Sequence, residues 1–188
     1  RHMFELTGGT FDVSIGTGLP SLEIDADNFV VRATKGGVRV DLGGIGKGYA
    51  VDLVGELLEE WELGQALVHG GFSSILALAG PAGSAGWPLT LSDPNWPARV
   101  LTRLNVRQTA VGASGIRKKD HIVDPRHGTP VRGRLASWAA VPRPATNGPA
   151  GVGAGHRLAA TAVADALTTA LMMLNPEEIE ELCERSPG

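Results

Sequence analysis

Apolar residues recur at spacings of three and four over Tyr49, Ala50, Leu53, Val54, Leu57, Leu58 and Trp61, with Glu56, Glu59 and Glu60 between them. That period predicts an amphipathic helix of about four turns ending near Gly64, with the acids on its wet side. A second helix is predicted over residues 158–174, where small residues allow close packing. A third starts at Asn175-Pro176-Glu177-Glu178: Asn caps, Pro suits the first turn, and the acids complement the helix dipole. Elsewhere the pattern alternates or runs apolar. Val30 to Ala33, a turn at Lys35-Gly36-Gly37, and Val38, Val40 and Leu42 alternating with Arg39 and Asp41 predict a hairpin over residues 29–42. Residues 66–79 are apolar but interrupted by His69-Gly70-Gly71, which reads as one buried strand bulged near its middle. Further strands are predicted over 87–91, 100–106, 109–114 and 135–141, with residues 10–15 a strand or buried loop and 142–155 an exposed Pro/Gly/Ala-rich loop. Strands mixed with helices at two separated places predict an α+β fold of mixed or antiparallel sheets with two long helices, in a single domain spanning 1–188.

Composition narrows the function classes. The 188 residues are 43% hydrophobic, with a formal charge of −3, and no basic stripe with interleaved aromatics, so a nucleic-acid partner is not expected. The cluster Arg117, Lys118 and Lys119 is too short to alter that. Cys183 is the one cysteine, which excludes an internal disulfide framework. No apolar run is long enough to predict membrane insertion by this segment.

Four glycines crowd the junction between the predicted hairpin and the first helix, in Asp41-Leu42-Gly43-Gly44-Ile45-Gly46-Lys47-Gly48. Glycine admits close approach of a ligand to the main chain, and a helix start offers unpaired N–H groups to an anion, so phosphate is the expected guest. The spacing matches neither the dinucleotide fingerprint nor the P-loop. A tight strand-to-helix turn without a ligand explains the same residues equally well.

Asp165 and Thr169 lie four apart on the second predicted helix and therefore share a face. A carboxylate and a hydroxyl so placed suit a hard cation such as Mg2+, which takes oxygen ligands and is usually completed by waters and substrate phosphates. The alternative is that Asp165 bonds a neighbouring loop and Thr169 back-bonds within its helix. Because Asp165 is the only charged group on this apolar helix, it needs a partner in either case. His121 and His127 lack zinc spacing, and Ser114 in Gly112-Ala113-Ser114-Gly115 is not a nucleophile elbow, so zinc and serine-hydrolase chemistry are not expected.

Taken in order along the chain, these segments resemble the ApbE family, the FAD:protein FMN transferases. Gly9-Thr10-Phe11-Asp12 is similar to the family's G-x-F-D, and residues 41–52 to its D-L-G-G-I-A-K-G-Y-A-V-D. Gly70-Gly71 matches its paired glycines, and Ala113-Ser114-Gly115 its T-S-G. Residues 121–131 resemble its H-I-I-D-P-R-T-G-x-P-V, and Asp165-Ala166-Leu167-Thr168-Thr169-Ala170 its D-A-L-x-T-A. The resemblance implies an enzyme that binds FAD with Mg2+, cleaves the pyrophosphate, releases AMP and attaches FMN to a threonine hydroxyl of a flavin-acceptor protein. It implies Mg2+ held by Asp165, Thr169 and the main-chain carbonyl of Gly46. Gly43, Gly44, Lys47, Ser114, His121 and Asp124 would line the flavin and nucleotide cleft, in a fold with a two-part core somewhat like the T-fold. Members of the family are commonly exported or membrane-tethered. The chain departs from the family pattern in a shortened N-terminal side, in Gly70-Gly71-Phe72 for Gly-Gly-Asp, in Ala113 for Thr and in Gly46 for Ala. The alternative to a transferase is therefore a degenerate FAD- or nucleotide-binding module of the same family.

Overall fold

The computed structural model describes residues 1–116, 122–143 and 159–185. Its centre is an antiparallel sheet of four strands, β3 (Leu67–His69), β4 (Ser74–Ala77), β7 (Thr109–Gly115) and β10 (Ala136–Pro142), in the order β10-β7-β4-β3. The period-2 alternation of β4 and β7 divides two cores. Leu76 and Ala110 face helices α2 (Gly46–Glu60) and α3 (Ala160–Leu171), whereas Ala77 and Val111 face the hairpin of β5 (Trp87–Ser92) and β6 (Val100–Val106). Helices on one face of the sheet and a hairpin on the other give the expected α+β architecture. A third core joins α3 to α1 (His2–Leu6) and α4 (Pro176–Arg185) through Met3, Phe11, Ala166, Ala170 and Leu182. Residues 10–15 form a buried loop rather than a strand, with Thr10, Phe11 and Ser14 inside. The start of α4 is a reciprocal cap: Glu178 N–H donates to Asn175 Oδ1 and Asn175 N–H to Glu178 Oε2, each at 2.8 Å.

Three local expectations are corrected. First, β2 (Val30–Ala33) pairs with β1 (Leu22–Asp25), upstream of it, and residues 38–42 form no strand. The turn is closed by Asp25, which accepts from both amide groups of Asn28. Residues 39–41 are tied instead to the loop before β1, through Arg39 N–H to Thr17 Oγ1 and Asp41 N–H to the Val13 carbonyl. Second, residues 66–79 are two strands and not one bulged strand. Gly71 takes φ +71°, Gly70 N–H donates to the Ser74 carbonyl, and the chain reverses so that β3 pairs antiparallel with β4.

Third, α2 is turned the other way round from its expected amphipathic orientation. Its buried residues are Gly48, Val51, Asp52 and Gly55, while Tyr49, Leu53, Val54, Leu57 and Trp61 are exposed. Close approach selects the narrow face. A methyl on Gly48 would lie 2.3 Å from the Thr161 carbonyl oxygen, so only glycine lets α2 press on the start of α3 at this point. Asp52 completes the contact by accepting the N–H groups of Thr161 and Ala162 at 3.0 and 2.9 Å, capping α3 from a neighbouring helix. The bulky apolar face is left outside. The remaining paired segment is a short hairpin of β8 (Val123–Asp124) and β9 (Thr129–Pro130). Among the described residues no helix is long and apolar enough to cross a membrane.

Candidate functional site

Asp165 sits in the middle of α3 where three segments converge on it. The Gly48 N–H donates to its Oδ2 at 2.8 Å, and the Ser74 hydroxyl lies 2.9 and 2.8 Å from its two oxygens. From the sheet side, Gly112 of β7 allows contact: a methyl there would lie 2.6 Å from the Ala164 carbonyl and 3.0 Å from the Asp165 nitrogen. Asp165 as a residue is 4% exposed. Burial pushes its pKa above the ordinary aspartate value; the Ser74 hydroxyl, the Lys47 charge and the Gly48 N–H pull it back in part, and the Asp52 charge adds to the rise.

Thr169 lies one turn further along α3, with its hydroxyl donating to the Asp165 carbonyl at 3.1 Å. That back-bond spends the hydroxyl proton and leaves the oxygen lone pairs free to accept or to ligate. Gly44 of the glycine turn stands beside it, close enough that a methyl there would be 3.0 Å from Thr169 Oγ1. Asp165 and Thr169 open on a cleft of about 610 Å3. Gly43, Gly44, Lys47 and Ser114 line the same cleft, as do Phe11, Asp12, Asp41 and Ser73. Ser114 is fastened through its hydroxyl, which donates to Thr168 Oγ1 at 3.0 Å, and Thr168 donates to the Asp165 carbonyl at 2.9 Å.

Not every expected residue is gathered there. Gly46 is the first residue of α2 and is not among the residues lining the cleft. Asp124 is buried and its carboxylate is engaged by the Arg126 guanidinium at 2.8 to 3.2 Å, while its neighbours Val123 and Pro125 line the cleft in its place. The side-chain hydrogen bonds from Arg126 hold the Asp124 pKa below the ordinary value against a partial desolvation. His121 lies outside the described residues.

Sequence reasoning missed Ser74, Asp52, Asp12 and Gly112. Ser74 and Gly112 stand in small-residue runs and become informative only once α3 lies across them. Asp12 is in the G-x-F-D segment; its carboxylate accepts Ser14 N–H, Ser14 Oγ–H and Gly16 N–H, shaping the loop that walls the cleft. Among the described residues no group of three or more His, Cys, Asp or Glu could hold a metal ion. A cation here would therefore rest on one carboxylate with neutral oxygens, a donor set that suits Mg2+ completed by phosphate and water.

The sequence model of the ApbE family matches residues 16–188. The chain belongs to the ApbE family. Among solved structures, this ApbE-family chain is similar to the ApbE protein of Thermotoga maritima, with TM-score 0.75 and 22% identity over 96% of this chain and 65% of that one. It is similar to the flavin transferase ApbE of Vibrio cholerae, with TM-score 0.76 and 20% identity over 98% of this chain and 65% of that one. The flavinyl transferase ApbE of Pseudomonas stutzeri gives TM-score 0.73 and 21% identity over 98% of this chain and 63% of that one. At such identities the likeness establishes a shared fold. The chain spans slightly under two thirds of the length of these solved relatives. No match is found among curated proteins.

Proposed function

We propose that this chain is a Mg2+-dependent FAD:protein FMN transferase, acting at the cleft between the glycine turn and α3. The observation that supports it most is the pairing of Asp165 and Thr169, one turn apart, with Gly43, Gly44 and Lys47 around one cleft in a chain of the ApbE family. The residues fit the ion. Ser74 has one proton to give and Gly48 another, so the Asp165 carboxylate keeps lone pairs for a ligand, and Thr169 keeps both of its own. Asp165 and Thr169 would hold Mg2+; the Gly46 carbonyl, expected as a third donor, does not line the cleft. When bound, Mg2+ offsets the charge of the pyrophosphate and of the transition state.

The chain's own groups position the substrate. Lys47 and the Gly43–Gly44 turn line the cleft and would face the phosphates, Phe11 and Ser114 wall the cleft, and Ser74 and Gly48 keep Asp165 in one orientation. In the transfer, the acceptor threonine oxygen bonds to the FMN phosphorus while the bond from that phosphorus to the bridging oxygen breaks. AMP departs with the bridging oxygen and takes up the hydroxyl proton. Positioning and charge compensation dominate such a step, so a rigidly held carboxylate matters more than a strong base.

Mixing the protein with FAD, Mg2+ and a flavin-acceptor protein should release AMP and give covalently bound FMN, with both lost in Asp165→Asn. No AMP and no label at any Mg2+ concentration would overturn the reading. Phe72, fully exposed where the family pattern has Asp, favours a second reading, FAD binding without transfer. It predicts a thermal shift with FAD and no AMP.

A further inference from the structure

Residues 8–18 contribute Thr10, Phe11, Asp12 and Ile15 to the cleft, and the segment turns repeatedly through the left-handed region. Gly8, Gly9, Gly16 and Gly18 take positive φ there without steric cost. Ile15 takes φ +50° among them, where a branched Cβ crowds the main chain. Of the four non-glycine residues with positive φ among the described residues, Ile15 alone is β-branched and alone lines the cleft. Its conformation is held from several directions. Asp12 accepts Ser14 N–H, Ser14 Oγ–H and Gly16 N–H, and its carbonyl accepts Ile15 N–H at 3.0 Å. The Val13 carbonyl accepts Asp41 N–H, and a methyl on Gly16 would run into the Pro125 carbonyl oxygen. No core burial offsets the strain: Phe11 and Val13 pack in the core around α3, whereas Ile15 belongs to none of the three cores. A strained residue that its surroundings over-determine, and that lines a cleft, marks a ligand clamp.

We propose that Ile15 is a specificity-determining residue of the cleft, whose strained backbone sets its branched side chain against a flat ring of the dinucleotide. The inference rests on FAD as the occupant, the reading given above. Lys47, Asp165, Thr169 and the Gly43–Gly44 turn suit phosphate and metal and offer a ring no face. Ile15, Val123 and Pro125 offer one. Gly16 meets Pro125, so the two segments that carry these side chains close on each other and give the cleft an aliphatic wall. Glycine at position 15 would relieve the strain, as it does at Gly16 and Gly18, but would remove that wall. Isoalloxazine and adenine are both flat rings with apolar faces, and the wall suits either.

Calorimetric titration of the full chain with FAD, FMN, ADP and inorganic pyrophosphate, each with Mg2+, separates binding from folding when paired with urea unfolding of the free protein. Ile15→Asn suits the left-handed backbone but sets an amide against the ring. Its urea midpoint should equal or exceed that of the wild type, while its Kd for FAD rises about tenfold and its Kd for pyrophosphate is unchanged. Ile15→Leu, apolar but unbranched at Cβ, should bind FAD within about twofold of the wild type. A loss shared by FMN places the isoalloxazine on Ile15, and one shared by ADP places the adenine there. Equal FAD affinity in wild type and Ile15→Asn overturns the proposal. An equal loss for pyrophosphate, which has no ring, overturns it too, as does a lowered urea midpoint, which would make Ile15 a packing residue. A wild type that binds pyrophosphate but not FAD sinks the flavin reading of the site, and this inference with it.

Discussion

The main-chain N–H of Gly48 donates to Oδ2 of Asp165 at 2.8 Å, joining two helices across 117 positions of sequence. This bond fixes the carboxylate relative to the glycine turn, and it exists because Gly48 has no side chain to hold α2 away from α3. Gly48→Ala would drive a methyl to 2.3 Å from the Thr161 carbonyl oxygen, with backbone atoms on the opposing side. Chemical denaturation should show a loss of about 1–3 kcal/mol, since overpacking against backbone cannot relax by rotamer change. Weaker FAD binding should accompany it. An unchanged unfolding midpoint would show that the helices are free to separate here.

Ser74→Ala removes the largest force pulling the Asp165 pKa back toward its ordinary value and leaves the burial that raises it. The carboxylate must be ionised to hold a divalent cation, so Mg2+-dependent turnover should fall as pH drops through the raised pKa, at a higher pH than for an ordinary aspartate. In Ser74→Ala the acidic limb of the pH profile should move further toward neutrality. Stability at neutral pH should fall by about 1–3 kcal/mol, the cost of a buried acceptor losing its donor. If the limb does not move, some other group governs it. The sign for folding is opposite to that for binding: a raised native pKa means the group's contribution to stability improves as pH falls through it.

Asp52 accepts the second and third N–H groups of α3, those of Thr161 and Ala162, from a different helix, and both bonds are buried. Asp52→Ala should destabilise the protein by about 1–2 kcal/mol, as loss of a helix cap does. Hydrogen exchange should quicken at Thr161 and Ala162 before it quickens at Ala170. Uniform quickening would mean that the cap acts on the whole fold rather than on the end of one helix.

What could be read from the chain beforehand follows a physical division. Spacing within one element was legible: Asp165 and Thr169 share a face because four residues nearly complete a turn, and Asn175 caps α4 by local geometry alone. The partner of β2 was not, because Val38, Val40 and Leu42 alternate like a strand while hydrogen bonds from Arg39 and Asp41 to the preceding loop hold them elsewhere. The reversal at Gly70 and Gly71 turns on a single positive φ that a bulge would equally permit. The orientation of α2 inverted the periodicity argument, since the contact with α3 selects Gly48 and the contact with Leu76 of β4 selects Gly55 by lack of volume, while the large apolar residues face outward. Asp165 was legible as a charge in need of a partner. Ser74, the partner, was not, for its role depends on a helix 91 positions away.

The Asp124–Arg126 pair gives the clearest acid dependence. Arg126 bonds both Asp124 oxygens and lowers the native pKa below the ordinary 3.8, so the ionised form is favoured in the folded state. A lowered native pKa contributes stability that is fully present above the unfolded value and is lost as pH falls through the native one. The Asp124 side chain is 12% exposed and that of Arg126 30%, which limits screening, and Asp124→Asn should cost about 1–2 kcal/mol near neutrality. Urea unfolding of the wild type and of Asp124→Asn as a function of pH should give curves separated by that amount above pH 5 and converging below the ordinary aspartate value. Parallel curves down to strong acid would mean that the loss comes from the turn at residues 124–128 rather than from the charge. Val123 and Pro125 on either side of this pair line the cleft, so FAD affinity should follow the same acid transition in the wild type and be flat across it in Asp124→Asn.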